Sequence, residues 1–315
     1  MTTPGTQVIT FYSTKGGVGR SMTAANVAWA LASAGKRVLI MDWDLEAPGL
    51  HHYFAPFLVD PTLGSTTGVV DALIDFLNGS VSSTIDIKSY AVSLNWEFST
   101  GALDFVPSGQ QSASYSTLVS RLPWADLLRS KSAEDFIAGI IGSASHDYDY
   151  VLLDSRSGYN EVSALCSRYL ADAVVLCFTL TGHMIEASRA AAEIIATEAI
   201  RPYVRIFPVP TLVELAEHDL LMQSRERARA AFERFTAHLP AGDAQQYWRE
   251  VETQYRPIFA YGATLAAFVE EPHQTSVLSA AESLAYYLTG IDRARIARPS
   301  DQQRRAILAN YRNAP

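Results

Sequence analysis

Residues 13–21 read Ser13-Thr14-Lys15-Gly16-Gly17-Val18-Gly19-Arg20-Ser21. Before them, QVITFYS (7–13) is rich in β-formers. After them, 21–34 is mostly Ala, Val, Trp, Leu and Met, and Gly35 follows as a natural helix-ending residue. A glycine-rich turn between a strand and a helix lets successive backbone N–H groups curl inward around phosphate oxygens. A helix beginning at Ser21 aims the positive end of its dipole at the same anion. Gly16, Gly17, Val18, Gly19, Arg20, Ser21 and Met22 are therefore the candidate phosphate cradle, with the Ser21 hydroxyl placed to ligate Mg²⁺.

The next apolar run, RVLIM (37–41), reads as a strand that ends in Asp42-Trp43-Asp44. Side chains two apart on a strand share a face, so Asp42 and Asp44 both face the phosphate pocket unless they merely cap the next turn. The strand–helix–strand unit predicts that 7–13 and 37–41 are parallel neighbours. Further on, YAVSLNW (90–96), ALDFVPS (102–108), YDYVLLD (148–154), DAVVLCFT (172–179) and YVRIFPVP (203–210) read as strands. Helical patterns cover 68–77, much of 112–145, 183–200, 213–256 with a break at LPAGD (239–243), and 274–289. This alternation predicts an α/β fold, a mostly parallel twisted sheet with helices on both faces and helical C-terminal additions. In such sheets ligands sit beyond the carboxyl ends of strands, here 14–21, 42–49, 154–160, 179–184 and 208–213.

KGGVGRS followed by DWDLEAPGL resembles the deviant Walker-A P-loop ATPases of the ParA/MinD group, in a KGGVGR variant of their usual KGGxGK[ST] string. The resemblance runs over about residues 5–215 and implies ATP and Mg²⁺ as cofactors. It implies that Lys15 reaches across a nucleotide-sandwich homodimer to the partner's phosphates. It further implies that Asp42 supports the metal shell, that Asp44 orients or activates the attacking water, and that Asp154 holds a metal-bound water. Ser21, Asp42 and Asp154 are thus the expected metal residues. Lys15, Asp44 and Arg20 are the expected catalytic ones. Arg20 departs from the family lysine. It keeps the positive charge and adds a planar fork suited to two oxygens, but is no compact point charge. After Asp154, Gly158 is expected to offer its N–H to a γ-phosphate, and Arg156 either adds charge there or pairs with Glu161. The family often ends the strand corresponding to YVRIFPVP with a base-reading Asn. Here Pro208, Val209 and Pro210 stand instead, a wall expected to sandwich a purine. No N-K-x-D guanine-reading motif occurs, which favours ATP over GTP.

Composition constrains the rest. The chain has 315 residues, 48% apolar and 18% charged, enough for a large core. No run approaches the ~18 apolar residues of a membrane span, and MTTPGTQVIT lacks a signal-peptide layout. The expectation is a soluble, cytoplasmic protein. Cys166 and Cys177 are too few for a disulfide framework or a four-ligand metal site and read as core thiols. His51-His52 reads as a solvated turn. The net charge of −8 divides unevenly. Residues 291–315 carry six arginines against two aspartates, +4, leaving −12 on residues 1–290. The expected organisation is an ATPase domain over 1–290, with helical additions about 213–290, and a basic tail over 291–315. That tail either contacts a membrane surface or nucleic acid or packs on its own domain. The expected function is a Mg-dependent ATP hydrolase acting as a dimerisation switch on a protein partner. The alternatives are a nucleotide-binding scaffold or sensor with little hydrolysis, motivated by Arg20, and a P-loop ligase or kinase.

Overall fold

The computed structural model describes residues 5–79, 86–124, 131–201, 203–239, 243–271, 273 and 275–313. The start of the chain, the helical expectation at 125–130 and the middle of the LPAGD break lie outside the described residues. The apolar runs form strands β1 (Gln7–Tyr12), β2 (Arg37–Trp43), β3 (Val92–Ser93), β4 (Ala102–Val106), β5 (Tyr150–Ser155), β6 (Ala173–Phe178) and β7 (Arg205–Pro210). They make one sheet in the order β3-β4-β2-β5-β1-β6-β7. Every pairing is parallel except β3 with β4. The fold class is as expected, with two corrections. β1 and β2 are not neighbours, because β5 enters between them and pairs with both. A parallel crossover leaves room for such an insertion, and local sequence does not record it. YAVSLNW contributes only the two residues of β3.

Helices cover both faces. On one lie α1 (Arg20–Ser33), α2 (Leu50–Phe54), α7 (Gly182–Glu198), α8 (His218–Thr236), α9 (Asp243–Glu250), α11 (Ala266–Val269) and α12 (Val277–Thr289). On the other lie α3 (Val69–Leu77), α4 (Tyr115–Arg121), α5 (Lys131–Ala144) and α6 (Glu161–Ala164), the last continuing as a π-helical turn over Leu165–Leu170. Strand side chains alternate between the two cores as the pleat requires. Val38, Ile40 and Leu152 face α1, while Leu39, Met41, Val151 and Leu153 face the other layer. Two residues beyond Ile40 and Leu152, Asp42 and Asp154 keep the α1 side and pair in register on adjacent strands. That parity brings the acids to the start of α1.

The C-terminal additions belong to the main core. Trp29 of α1 packs against Phe57, Trp96, Phe98 and Phe268 with ring centroids 5.0–5.4 Å away. The Asn26 side chain of α1 accepts the Ala266 N–H at 2.7 Å, satisfying a donor that α11 would otherwise bury. α10 (Ile258–Tyr261) has no fully buried residue, and only its Phe259 packs against the core. α13 (Asp301–Asn313) lays Ile307, Leu308 and Tyr311 on this core, and the Tyr311 hydroxyl donates to the Tyr53 carbonyl at 2.6 Å. The basic segment does not stand apart as a tail. Arg293 pairs with Glu250, Arg298 with Glu282, and Arg304 with Glu271, so much of its charge is met by acids of the body. Among the described residues, no helix is long and apolar enough to cross a membrane.

His51 sits in α2, not in a solvated turn, and its ring is buried 3.9 Å from the His52 ring. Burial, and then the neighbouring His52, lower its pKa to about 4. An unfolded histidine titrates near 6.5, so between those values only the unfolded chain takes up this proton. The residue costs the fold nothing above pH 6.5 and progressively more as pH falls toward 4. The unfolding free energy of wild type relative to His51→Asn is expected to shrink over that window by up to ~1.4 kcal/mol per pH unit. Urea denaturation at several pH values checks this, and parallel pH profiles for the two proteins would contradict it.

Candidate functional site

β1 delivers the chain into the loop 13–19, which doubles back through two glycines with positive φ, Gly17 at 75° and Gly19 at 84°. A side chain at either position would be strained. Gly19 is also the residue before α1, and no side chain caps that helix. The first-turn N–H groups of α1 therefore face the loop, the arrangement a phosphate requires. Lys15, Gly16 and Gly17 are exposed at its crest, and Val18 and Met22 anchor it in the core.

The loop forms one wall of a cleft of about 650 Å³. That lies within the ~300–1,000 Å³ of ordinary small-molecule sites. Ser13, Gly16, Gly17, Gly19, Arg20, Ser21 and Met22 line it, with Asp44 and Glu46 after β2 and Arg156 and Ser157 after β5. Its far side is Leu212, Tyr255, Arg256, Phe259 and Ala260. A second cleft, about 480 Å³ between the π-helical turn and α7, has neither a glycine loop nor clustered aspartates.

The floor of the main cleft is an ionic cluster. Arg20 is 7% exposed and turns inward. Its Nε donates to Asp154 Oδ1 at 2.6 Å, and its Nη2 donates to Asp44 Oδ2 at 2.8 Å and to Ser21 Oγ at 3.3 Å. Arg20 was expected to spread over phosphate oxygens; here its fork is taken by carboxylates. Their geometry is the reason: two acids from adjacent strands converge on the first residue of α1, and a buried anion recruits the nearest cation. Asp42 takes the turn-capping alternative. Its two oxygens accept the Asp44 N–H at 3.0 Å and the Leu50 N–H at 3.3 Å. Burial pushes the Asp42 carboxyl well above the usual range, and the Asp154 charge adds to that. Burial also raises Asp154, against the pull of Arg20, and its Oδ2 has no hydrogen-bond partner.

Other expected residues are placed differently. The Gly158 N–H donates to the Ser13 carbonyl at 3.0 Å, so it is already engaged within the protein. Pro208, Val209 and Pro210 are inside edge strand β7 and do not line the cleft. Tyr247 of α9 seals them, donating its hydroxyl to the Pro208 carbonyl at 2.9 Å. The apolar wall is instead Leu212, Tyr255 and Phe259, brought in because Val213 and Gln254 form a parallel bridge just beyond β7. Sequence reasoning missed this wall. Its one signal was the aromatic pair Tyr255 and Phe259 at and just past the end of the stretch read as helical, which the structure ends at Glu250. Arg156 pairs with Glu46, not Glu161. Both cysteines are buried, with burial pushing Cys177 up to about 12 and Cys166 higher still, as inert core thiols should be.

Removing Arg20 leaves Asp154 buried and uncompensated. Arg20→Ala is expected to destabilise the nucleotide-free protein by about 3–5 kcal/mol, and Asp154→Asn in the same chain to recover part of it. Thermal and urea unfolding check both, and a loss under ~1 kcal/mol in Arg20→Ala would show that the pair carries no structural charge balance.

Comparison with known proteins bears on this site. A family model described as ParA, NUBPL iron-transfer P-loop NTPase, matches residues 5–56, which span the glycine loop and the Asp-Trp-Asp strand end. An uncharacterized ATP-binding protein of Methanocaldococcus jannaschii is 27% identical over 177 residues, 56% of this chain and 54% of that protein. The chain spans about half the length of the curated relatives it matches. Among solved structures, the cell division ATPase MinD of Pyrococcus furiosus superposes with a TM-score of 0.59 at 16% identity, covering 88% of this chain and 98% of that one. The septum site-determining protein MinD of Pyrococcus horikoshii, complexed with Mg-ADP, gives 0.56 at 15% identity, covering 91% and 99%. In its sheet, its glycine loop and the strand-end acids beside it, the chain has the ParA/MinD-type P-loop NTPase fold.

Proposed function

We propose that the main cleft binds ATP, and that the chain works as a nucleotide-driven switch that dimerises when ATP is bound. The uncapped start of α1, facing a glycine loop with two positive-φ residues, is the observation that carries this reading. A triphosphate supplies the acceptors those N–H groups lack. On the other side, Leu212, Tyr255 and Phe259 give the flat apolar surface on which a purine stacks. The Mg-ADP of the Pyrococcus horikoshii MinD complex is in keeping with this chemistry. Magnesium neutralises phosphate oxygens where it is bound with a nucleotide. Among the described residues no three His, Cys, Asp or Glu side chains converge as a ready metal site. The Ser21 hydroxyl and the nucleotide's phosphates are therefore the principal holders, with Asp42 and Asp154 behind them.

Lys15, exposed at the loop crest, is free to extend toward a second copy across the cleft mouth, the role its resemblance implies. Asp44 lines the cleft and is the residue to orient a water on the terminal phosphate. A second reading, a nucleotide-binding sensor with little hydrolysis, is favoured by one observation: Asp44 is bonded to Arg20 at 2.8 Å rather than free. Phosphate release in the presence of ATP separates the two, since turnover lost in Asp44→Ala rules out the sensor. What the switch acts on is expected to be a protein surface. Of the C-terminal arginines, Arg293, Arg298 and Arg304 are already paired with body acids, which leaves less of that segment's charge for a partner.

Two outcomes test the reading. Asp44→Ala with ATP is expected to run as a dimer in light scattering and to return to monomer when Lys15→Ala is added. A monomer under every nucleotide condition contradicts the switch. Tyr255→Ala is expected to weaken nucleotide binding roughly tenfold, about the 1–3 kcal/mol of a base–aromatic stack. Unchanged affinity by fluorescence titration would move the base elsewhere.

A further inference from the structure

Arg20 touches the groups that a divalent cation would need. Its guanidinium bonds Asp154 and Asp44 and reaches Ser21 Oγ, all within 3.3 Å. Arg20 and Asp154 are nearly fully buried, at 7% and 1% exposure, so neither carries its own water shell to soften the pairing. A guanidinium keeps its charge at any working pH, and here the acids push its pKa further up against the effect of burial. Its planar fork sends Nε to one carboxylate and Nη2 to another, where an ammonium is a single point charge. The floor of the cleft therefore already holds one built-in cation.

We propose that Arg20 and a divalent cation seated at Ser21 compete for the charge of the Asp44–Asp154 carboxylates, so that loading the cleft with a metal–nucleotide requires the guanidinium to leave Asp154. This deepens the proposed nucleotide function and rests on it for the direction of the exchange. The two carboxylates carry −2 against the guanidinium's +1, so a divalent cation alone matches them, and both cations held at the same acids repel. The departing guanidinium has somewhere to go. The triphosphate that arrives with the metal presents planar pairs of oxygens to the same cleft wall. Arg20 thus already offsets part of the acids' charge, and the metal enters with the phosphates, not ahead of them.

The competition is read without nucleotide or turnover by Mn²⁺ binding in electron paramagnetic resonance. Wild type is expected to bind Mn²⁺ weakly. Arg20→Gln, which removes the charge and keeps the bulk, is expected to bind it at least about tenfold more tightly. Arg20→Gln with Asp154→Asn is expected to lose the gain. Equal Mn²⁺ affinity in wild type and Arg20→Gln overturns the proposal. A wild-type measurement guards against a misfolded variant. In crystals grown with Mg²⁺ and AMPPNP, Arg20 Nε is expected to have parted from Asp154 Oδ1. An intact Arg20–Asp154 bond beside bound metal overturns the proposal. Failure of AMPPNP to bind counts against the proposed function, and the Mn²⁺ comparison then decides the competition by itself.

Discussion

A single buried guanidinium holds the chemical end of this fold together. Arg20 is the first residue of α1, Asp44 follows β2, and Asp154 closes β5, so its two ion pairs tie a helix start to two strand ends. Asp42 and Asp154 pair in register on adjacent strands, both 1% exposed, and would repel without a cation nearby. The parity of the strands puts the acids there. The helix that crosses the same face puts Arg20 there. The loop between β1 and α1 can then close tightly, because its end is fixed from below and Gly17 and Gly19 supply the turn.

The remainder of the chain serves that end by covering it. α1 is buried along nearly its whole length, because α11 and α12 close over the side the sheet does not reach. The aromatic cluster around Trp29 binds strand-following loops and C-terminal helices into one body. The uneven charge seen in the composition is partly met in the same way. Arg293, Arg298 and Arg304 of the last segment lie on glutamates of the body, and the chain as a whole stays acidic. Such ion pairs, partly exposed, contribute little each, and the apolar seat of Ile307, Leu308 and Tyr311 does more to hold α13.

Much of this was legible in the residues. The glycine loop is a local object: strand, glycines and helix are consecutive, so its geometry follows from its own sequence. The alternating pattern of β2 likewise brought Asp42 and Asp44 to the loop. What was not legible is non-local. The insertion of β5 between β1 and β2 depends on a crossover, and no residue of β1 or β2 encodes it. The wall of Tyr255 and Phe259 arrives from far along the chain through a bridge at Val213 and Gln254. Pro208 and Pro210 read as a ligand wall, but an edge strand tolerates prolines for a plainer reason, since it has no neighbour on one side to receive their missing N–H. Arg20 was read as a phosphate ligand by position. Its actual direction depends on two carboxylates, one of them 134 residues away.

In the proposed binding mode the purine lies against the 255–260 segment with its phosphates on the glycine loop. Photolabelling with 8-azido-ATP followed by peptide mapping locates the base. The label is expected on the peptide containing Tyr255 and Phe259, with protection by unlabelled ATP. A label confined to the peptide of β7 or to the π-helical turn at 165–170 would contradict it.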